Sequence, residues 1–144
     1  MRLKEAAHWN QTEQDWERLL ALEPQGCFGL VQDCVLAASA TALAYSTDLV
    51  WIGMVLTLPE YRKRGFGRSL LARTIEFSES RGIAKAALDA TDMEFPLYQS
   101  FGFATESIVE RWERPASVAP ATGTAFQPWQ YDRDLDRRIE SPCL

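Results

Sequence analysis

Histidine, cysteine and long apolar runs are all scarce in this chain, and each scarcity removes a class of function. There is one histidine, His8, which reads as a surface or packing residue, and the cysteines Cys27, Cys34 and Cys143 are odd in number. They match no metal-ligand spacing, which argues against a metal centre and a disulfide scaffold and makes a reduced, cytoplasmic setting the default. The longest apolar stretches fall well short of the ~20 residues needed to span a bilayer. The opening Met1-Arg2-Leu3-Lys4-Glu5 lacks the apolar core of a signal peptide. Positive charge is also short: 15 Lys and Arg stand against 20 Asp and Glu, for a net charge of −5. That balance argues against general nucleic-acid binding and gives no reason to expect membrane partners. What is present, 144 residues with 47% apolar and 24% charged content, suits one globular domain with a real core. No internal repeat is found.

The pattern along the chain alternates helix and strand. Thr12, followed by Glu13 and Asp15, caps a helix whose apolar positions are Trp16, Leu19, Leu20 and Leu22. Pro24-Gln25-Gly26 ends it. Cys27 to Gln32 reads as a strand, Asp33 as a turn, and Val35 to Tyr45 as the antiparallel partner. Ser46-Thr47-Asp48 then turns the chain into a strand over Leu49–Leu58. Phe66, Leu70, Leu71 and Ile75 mark one face of a helix that stops at Gly82. Ala84 to Ala90 is an almost wholly apolar run, expected as a central strand. Pro96 opens a short helix closed by Gly102, and Phe103 to Arg114 is expected as the last strand, with Ile108, Val109 and Trp112 as its apolar members. Beyond Arg114 the residues Pro115, Pro120, Gly123 and Pro128 interrupt an Ala/Ser/Thr-rich stretch that reads as a linker. Phe126, Trp129 and Tyr131 are placed to pin that tail; Asp132 to Arg138 alternatively opens a second, truncated domain. The domain boundaries are therefore 1–113 for the folded unit and 114–144 for the extension.

The most informative segment is Pro59-Glu60-Tyr61-Arg62-Lys63-Arg64-Gly65-Phe66-Gly67-Arg68, between a strand and a helix. A loop that ends in a helix N-terminus presents unpaired backbone N–H groups and the positive end of the helix dipole. Gly65 and Gly67 let that backbone approach a bulky anion with no Cβ in the way. Arg62, Lys63, Arg64 and Arg68 add cations suited to phosphates. The spacing excludes a Walker loop, since no lysine and Ser/Thr follow the second glycine. It also lacks the third glycine of the dinucleotide fingerprint. A compact pyrophosphate ligand remains.

Arg62-x-x-Gly65-x-Gly67, after the strand Trp51 to Thr57 and about thirty residues before Leu97-Tyr98-Gln99-Ser100-Phe101-Gly102-Phe103, resembles the GNAT superfamily of acyl-CoA N-acyltransferases. The resemblance covers about residues 1 to 113. It implies a mixed α/β fold, with a mostly antiparallel central sheet, a splayed parallel strand pair and flanking helices. Family members usually begin with a strand before their first helix, whereas this chain starts inside that helix, at Arg2 to Ala7. A missing strand leaves an open sheet edge, expected to be covered by residues 115–144 or by a second copy of the chain as a homodimer.

The implied activity is transfer of an acetyl group from acetyl-CoA to an amine of a small molecule or peptide, by direct attack on the thioester. By resemblance, the backbone of Val55 and Thr57, with Leu56 between them, holds the pantetheine arm, and an N–H near Val55 steadies the thioester oxygen. Gly53 permits a bulge there. The loop Arg62 to Gly67 and Arg68 grip the pyrophosphate, with Phe66 also anchoring the helix. Tyr98 takes the place where many members carry a tyrosine near the CoA sulfur, as the proton donor to the departing thiolate. The other reading of Tyr98 is a packed aromatic. No base has a signature: Asp48, Asp89, Asp92 and Glu94 all lie near strand ends, and none is singled out. Many relatives carry asparagine seven positions before the tyrosine, where this chain has Thr91. The rival function for these residues is an acyl-CoA-binding or sensing module with weak catalysis. A nucleic-acid binder would need cations beyond the loop.

Overall fold

The computed structural model describes Leu3, Ala6, residues 11–110 and Trp112. The chain divides into two compact units, Met1–Thr105 and Glu106–Leu144. In the first unit Leu3 and Ala6 lie in helical backbone. Helix α1 (Glu13–Leu22) follows and is closed by a capping box in which the Thr12 hydroxyl accepts from Asp15 N and the Asp15 carboxylate accepts from Thr12 N. Its apolar stripe is thinner than expected. Trp16 and Leu19 are half-buried, but Leu22 and also Leu20, although it is one turn on from Trp16, are exposed.

A 3₁₀ turn at Pro24–Gly26 leads into β1 (Cys27–Gln32), which pairs antiparallel with β2 (Val35–Ala44). The hairpin closes on Asp33 and Cys34, both at positive φ (52° and 60°), the pattern of a type I′ turn. β2 pairs antiparallel with β3 (Leu49–Thr57), and β3 pairs parallel with β4 (Lys85–Leu88), reached through α2 (Phe66–Ser80). The sheet order is β1-β2-β3-β4. A short α3 (Phe95–Gln99) follows. Mixed α/β architecture, mostly antiparallel with one parallel pair, is what the family resemblance implied.

One face of the sheet packs on α2 and α3. Ala42, Val50, Phe77 and Ile83 form one buried cluster, and Ala38, Ala40 and Leu70 a second. The alanine-rich β2 lets α2 lie close to the sheet. The opposite face carries Leu56 and Leu58, which bury against Leu3, with Trp16 and Tyr61 beside them.

Two expectations are corrected. Among the described residues β4 is an edge strand and not the central one expected: its one partner there is β3, and its half-buried Ala86 and Leu88 pack on the α2/α3 side. Its apolar run therefore reflects helix cover as well as neighbouring strands. The expected final strand over Phe103–Arg114 is also absent where it is described. Residues 104–110 and Trp112 carry neither helix nor strand. Ile108 and Val109 are adjacent, so a strand would send them to opposite faces, and both are exposed, at 89% and 77%. The readings placed on His8 and on residues 113–144 lie outside the described residues.

Candidate active site

Strands β3 and β4 run together only from Leu49–Lys85 to Ile52–Leu88. From Gly53 to Thr57 β3 continues with no β4 partner among the described residues. Strand β3 therefore runs on past the end of β4, and the edge it leaves open after Ile52 is the candidate cleft. At that point β3 is also irregular: the register with β2 passes from Thr41–Gly53 to Ser39–Leu56, leaving Met54 and Val55 in a bulge. Gly53 announced such a bulge, but the left-handed residue is Met54, at φ 50°. The Ser39 hydroxyl donates to the Met54 carbonyl at 2.9 Å and holds it there. Neither residue's part was legible in the sequence.

The bulge turns Val55 toward the helices. It packs with Leu70 and Phe66 on one side and with Ile52, Leu71 and Tyr98 on another. Leu56 is buried on the opposite face with Leu58, and Thr57 is half-buried. These three residues form the free side of the cleft.

The loop that follows is built from its own contacts. Arg62 Nε donates to the Thr57 carbonyl at 3.3 Å, tying the loop to the end of β3. The Arg64 guanidinium lies 5.1 Å from the centre of the Tyr61 ring, which stacks on Phe66. Lys63 adopts φ 61°, and Gly65 caps α2 at φ 85°, a left-handed conformation costly for a residue with a Cβ. No side chain caps this end of α2. The first intrahelical bond of the turn, Ser69 N to Gly65 O, is 3.0 Å, so the amides of Phe66, Gly67 and Arg68 precede it. A Cβ on Gly65 would meet nothing within 4 Å, and one on Gly67 would meet only Leu97 Cδ2, at 3.6 Å. This open, glycine-lined helix terminus fits a pyrophosphate.

Gly67 thus faces α3, the element that carries Tyr98. Tyr98 is 5% exposed, buried with Ile52 and Leu71 at the point where the strands part, and its ring meets Phe103 edge-on at 6.2 Å. Burial, and secondarily the nearby Glu94 carboxylate, push its phenol up to about 12, so it holds its proton at neutral pH. Thr91 hydrogen-bonds Glu94 through its hydroxyl, and its carbonyl accepts from the amides of Glu94 and Phe95. The residue in the asparagine position is thereby committed to starting α3.

The four acidic residues separate by position, Asp92 lying exposed in the turn that precedes α3. Asp48 precedes β3 at the end away from the cleft, and its carbonyl accepts from Lys85 N at 3.1 Å. Asp89 follows β4 directly, and Glu94 caps α3. A cavity of about 430 Å³ lies between α1 and the bulge, lined by Gln11, Asp15, Arg18, Leu19, Leu22 and Met54.

Comparison with known proteins gives the family and the fold. The model of the Acetyltransferase (GNAT) family matches residues 2–103, and the chain belongs to that family. A glucosamine 6-phosphate N-acetyltransferase of Trypanosoma brucei brucei is 37% identical over 49 residues, covering 34% of this chain and 33% of that enzyme. The match therefore spans about a third of the curated relative's length. Among solved structures, a candidate acetyltransferase from Pyrococcus horikoshii superposes with TM-score 0.64 at 23% identity, over 72% of this chain and 37% of that one. Glucosamine-6-phosphate N-acetyltransferase from Arabidopsis thaliana gives 0.58 at 16% identity, over 71% and 78%. Among the described residues no helix is long and apolar enough to cross a membrane.

Proposed function

We propose that this acetyltransferase-family chain transfers an acetyl group from acetyl-CoA to the amine of a small molecule or peptide. The observation that carries the reading is the grouping of three features: the stretch of β3 beyond Ile52 that has no described partner on its β4 side, the uncapped glycine N-terminus of α2, and buried, protonated Tyr98. CoA supplies the activated thioester. The amides of Phe66, Gly67 and Arg68 receive its pyrophosphate, with Lys63 and Arg64 adding charge and Arg62 holding the loop in place. Val55 and Thr57 pair with the pantetheine arm along the free side of β3, with Leu56 turned to the core behind them. An amide at the Met54–Val55 bulge supports the charge that develops on the thioester oxygen.

Tyr98 gives its proton to the departing sulfur. A phenol this basic is a weak acid, so transfer is coupled to sulfur departure rather than preceding it. The acceptor enters from the α1 side, through the cavity that Met54 shares with Asp15 and Arg18. The curated relative's acceptor is an amino sugar phosphate; a primary amine bearing an anionic group is accordingly the first class to screen. Free Cys27 and Cys34 suit a reduced, cytoplasmic setting.

Isothermal titration of acetyl-CoA tests the reading. Saturable one-to-one binding is expected, and it is lost in an Arg64→Glu, Gly65→Asp double variant. A folded chain that does not bind acetyl-CoA overturns the proposal. Binding with no turnover across a broad amine panel would instead favour the sensing module.

A further inference from the structure

Arg68, in the first turn of α2, reaches the turn that follows α3, by contacts unlike those of a phosphate ligand. Its Nη2 donates to Ser100 Oγ at 3.0 Å, across 32 residues of sequence. Its guanidinium also lies 5.1 Å from the centre of the Phe101 ring. Ser100 Oγ in turn donates to the Leu97 carbonyl at 2.6 Å. The Phe101 and Phe103 amides close back on the Tyr98 carbonyl at 3.0 and 3.2 Å. One side chain of α2 therefore grips both residues that follow α3, and those residues are bonded to Leu97 and Tyr98.

Helix α3 needs such a grip. It has five residues, and a helix that short has no stability of its own. Its last carbonyls are the negative end of the turn, where a cation is favoured. Helix α2, by contrast, has fifteen residues and is anchored by buried Leu70, Leu71 and Phe77. Arg68 emerges from the first turn of α2, beside the proposed pyrophosphate amides, and ends on the turn that orients Tyr98.

We propose that the Arg68 guanidinium is a positioning group for Tyr98 and not a ligand of the CoA phosphates, which Arg68 would meet through its amide alone. Through Ser100 and Phe101 it fixes α3, so that the phenol points into the cleft where β3 and β4 part. This rests on the reading of Tyr98 as proton donor. It adds a mechanical link between the cofactor loop and the proton-donating helix.

The test uses Arg68→Met, which keeps the stem and removes the guanidinium, and Ser100→Ala, which removes only the hydrogen bond. Three measurements are made on the full chain: CoA affinity by calorimetry, hydrogen exchange at the Ser100–Phe103 amides, and steady-state kinetics. For Arg68→Met the expected result is CoA affinity within about twofold of wild type and exchange at those amides at least about tenfold faster. The expected kcat is roughly tenfold lower with KM for acetyl-CoA unchanged, and no further loss when the change is made in a Tyr98→Phe background. Ser100→Ala shows the same pattern in smaller degree. A fall in CoA affinity of roughly tenfold or more, with a shallower salt dependence, would make Arg68 a phosphate ligand and overturn the proposal. Unchanged exchange at Ser100–Phe103 would overturn it as well. If Tyr98→Phe alone leaves kcat intact, the proton-donor reading fails, and exchange and affinity still decide whether Arg68 holds α3.

Discussion

Arg81 clamps Glu23 with two hydrogen bonds of 2.8 Å, one from each terminal nitrogen to each carboxylate oxygen. Glu23 is the C-cap of α1 and Arg81 the C-cap of α2, so the pair ties the ends of two helices that lie 58 residues apart in sequence. The guanidinium also lies 4.6 Å from the centre of the Phe77 ring. Because Glu23 is nearly buried while Arg81 is about a third exposed, losing the arginine strands a carboxylate in a partly dry place. Arg81→Ala is expected to cost about 2 kcal/mol in urea unfolding, the middle of the range for hydrogen bonds to charged groups. CoA affinity should not change, since the pair lies outside the cleft-lining set.

Gly67→Ala separates the fold from the ligand. The added methyl meets only Leu97 Cδ2, at ordinary van der Waals distance. Within a helix the exchange should stabilise the protein by about 0.5 kcal/mol. If the α2 terminus receives the pyrophosphate, the same methyl intrudes on the anion and CoA binding weakens roughly tenfold, the value of one amide bond to a charged group. A variant with a higher melting temperature and poorer CoA affinity is the expected outcome of calorimetry and thermal melts.

Gly26→Ala should do the opposite and strike the fold alone. A Cβ there would lie 2.1 Å from the Ala42 carbonyl, a backbone atom that cannot step aside. Moving the 3₁₀ turn away from β2 is expected to cost about 3 kcal/mol or more in chemical denaturation, at the upper end of overpacking penalties.

Tyr98→Phe keeps the ring among Ile52, Leu71 and Phe103 and deletes the proton. Turnover should fall on the order of 10²-fold, with KM for acetyl-CoA unaffected. An unchanged kcat would mark Tyr98 as a packing residue only.

The same phenol makes stability depend on alkaline pH. Its value in the folded protein is raised to about 12, above the ordinary value of 10, chiefly by burial and then by Glu94. Between those two values the unfolded chain releases the proton while the folded protein keeps it. Stability is therefore level below pH 10 and falls as pH rises toward 12. Tyr98→Phe should lose that part of the slope, which unfolding midpoints at pH 9 and pH 11 would read out.

Local chemistry made much of this molecule legible. Thr12 with Asp15 places the start of α1, Pro96 and Gly102 bracket α3, and apolar runs set off by turn residues predict β1 to β3. These features depend on residues within one turn or one pleat of each other, so neighbours in sequence are enough. The glycine-basic loop was legible for the same reason. Readings that needed a partner fared worse: Leu20 and Leu22 match a helical stripe yet are exposed, and Ile108 and Val109 are apolar yet form no strand.

By itself, the sequence determined the order and type of the elements from α1 to α3, the acidic background, and a helix terminus stripped of side chains at Gly65 and Gly67. Those follow from dihedral preference, periodicity and charge, which act along the chain. Only the tertiary structure decided that β3 leaves β4 after Ile52, that Met54 takes the strained conformation with Ser39 holding its carbonyl, and that Arg68 reaches Ser100. Each of these joins residues far apart in sequence. Contacts of that kind are selected by how whole elements pack, and no local preference encodes them.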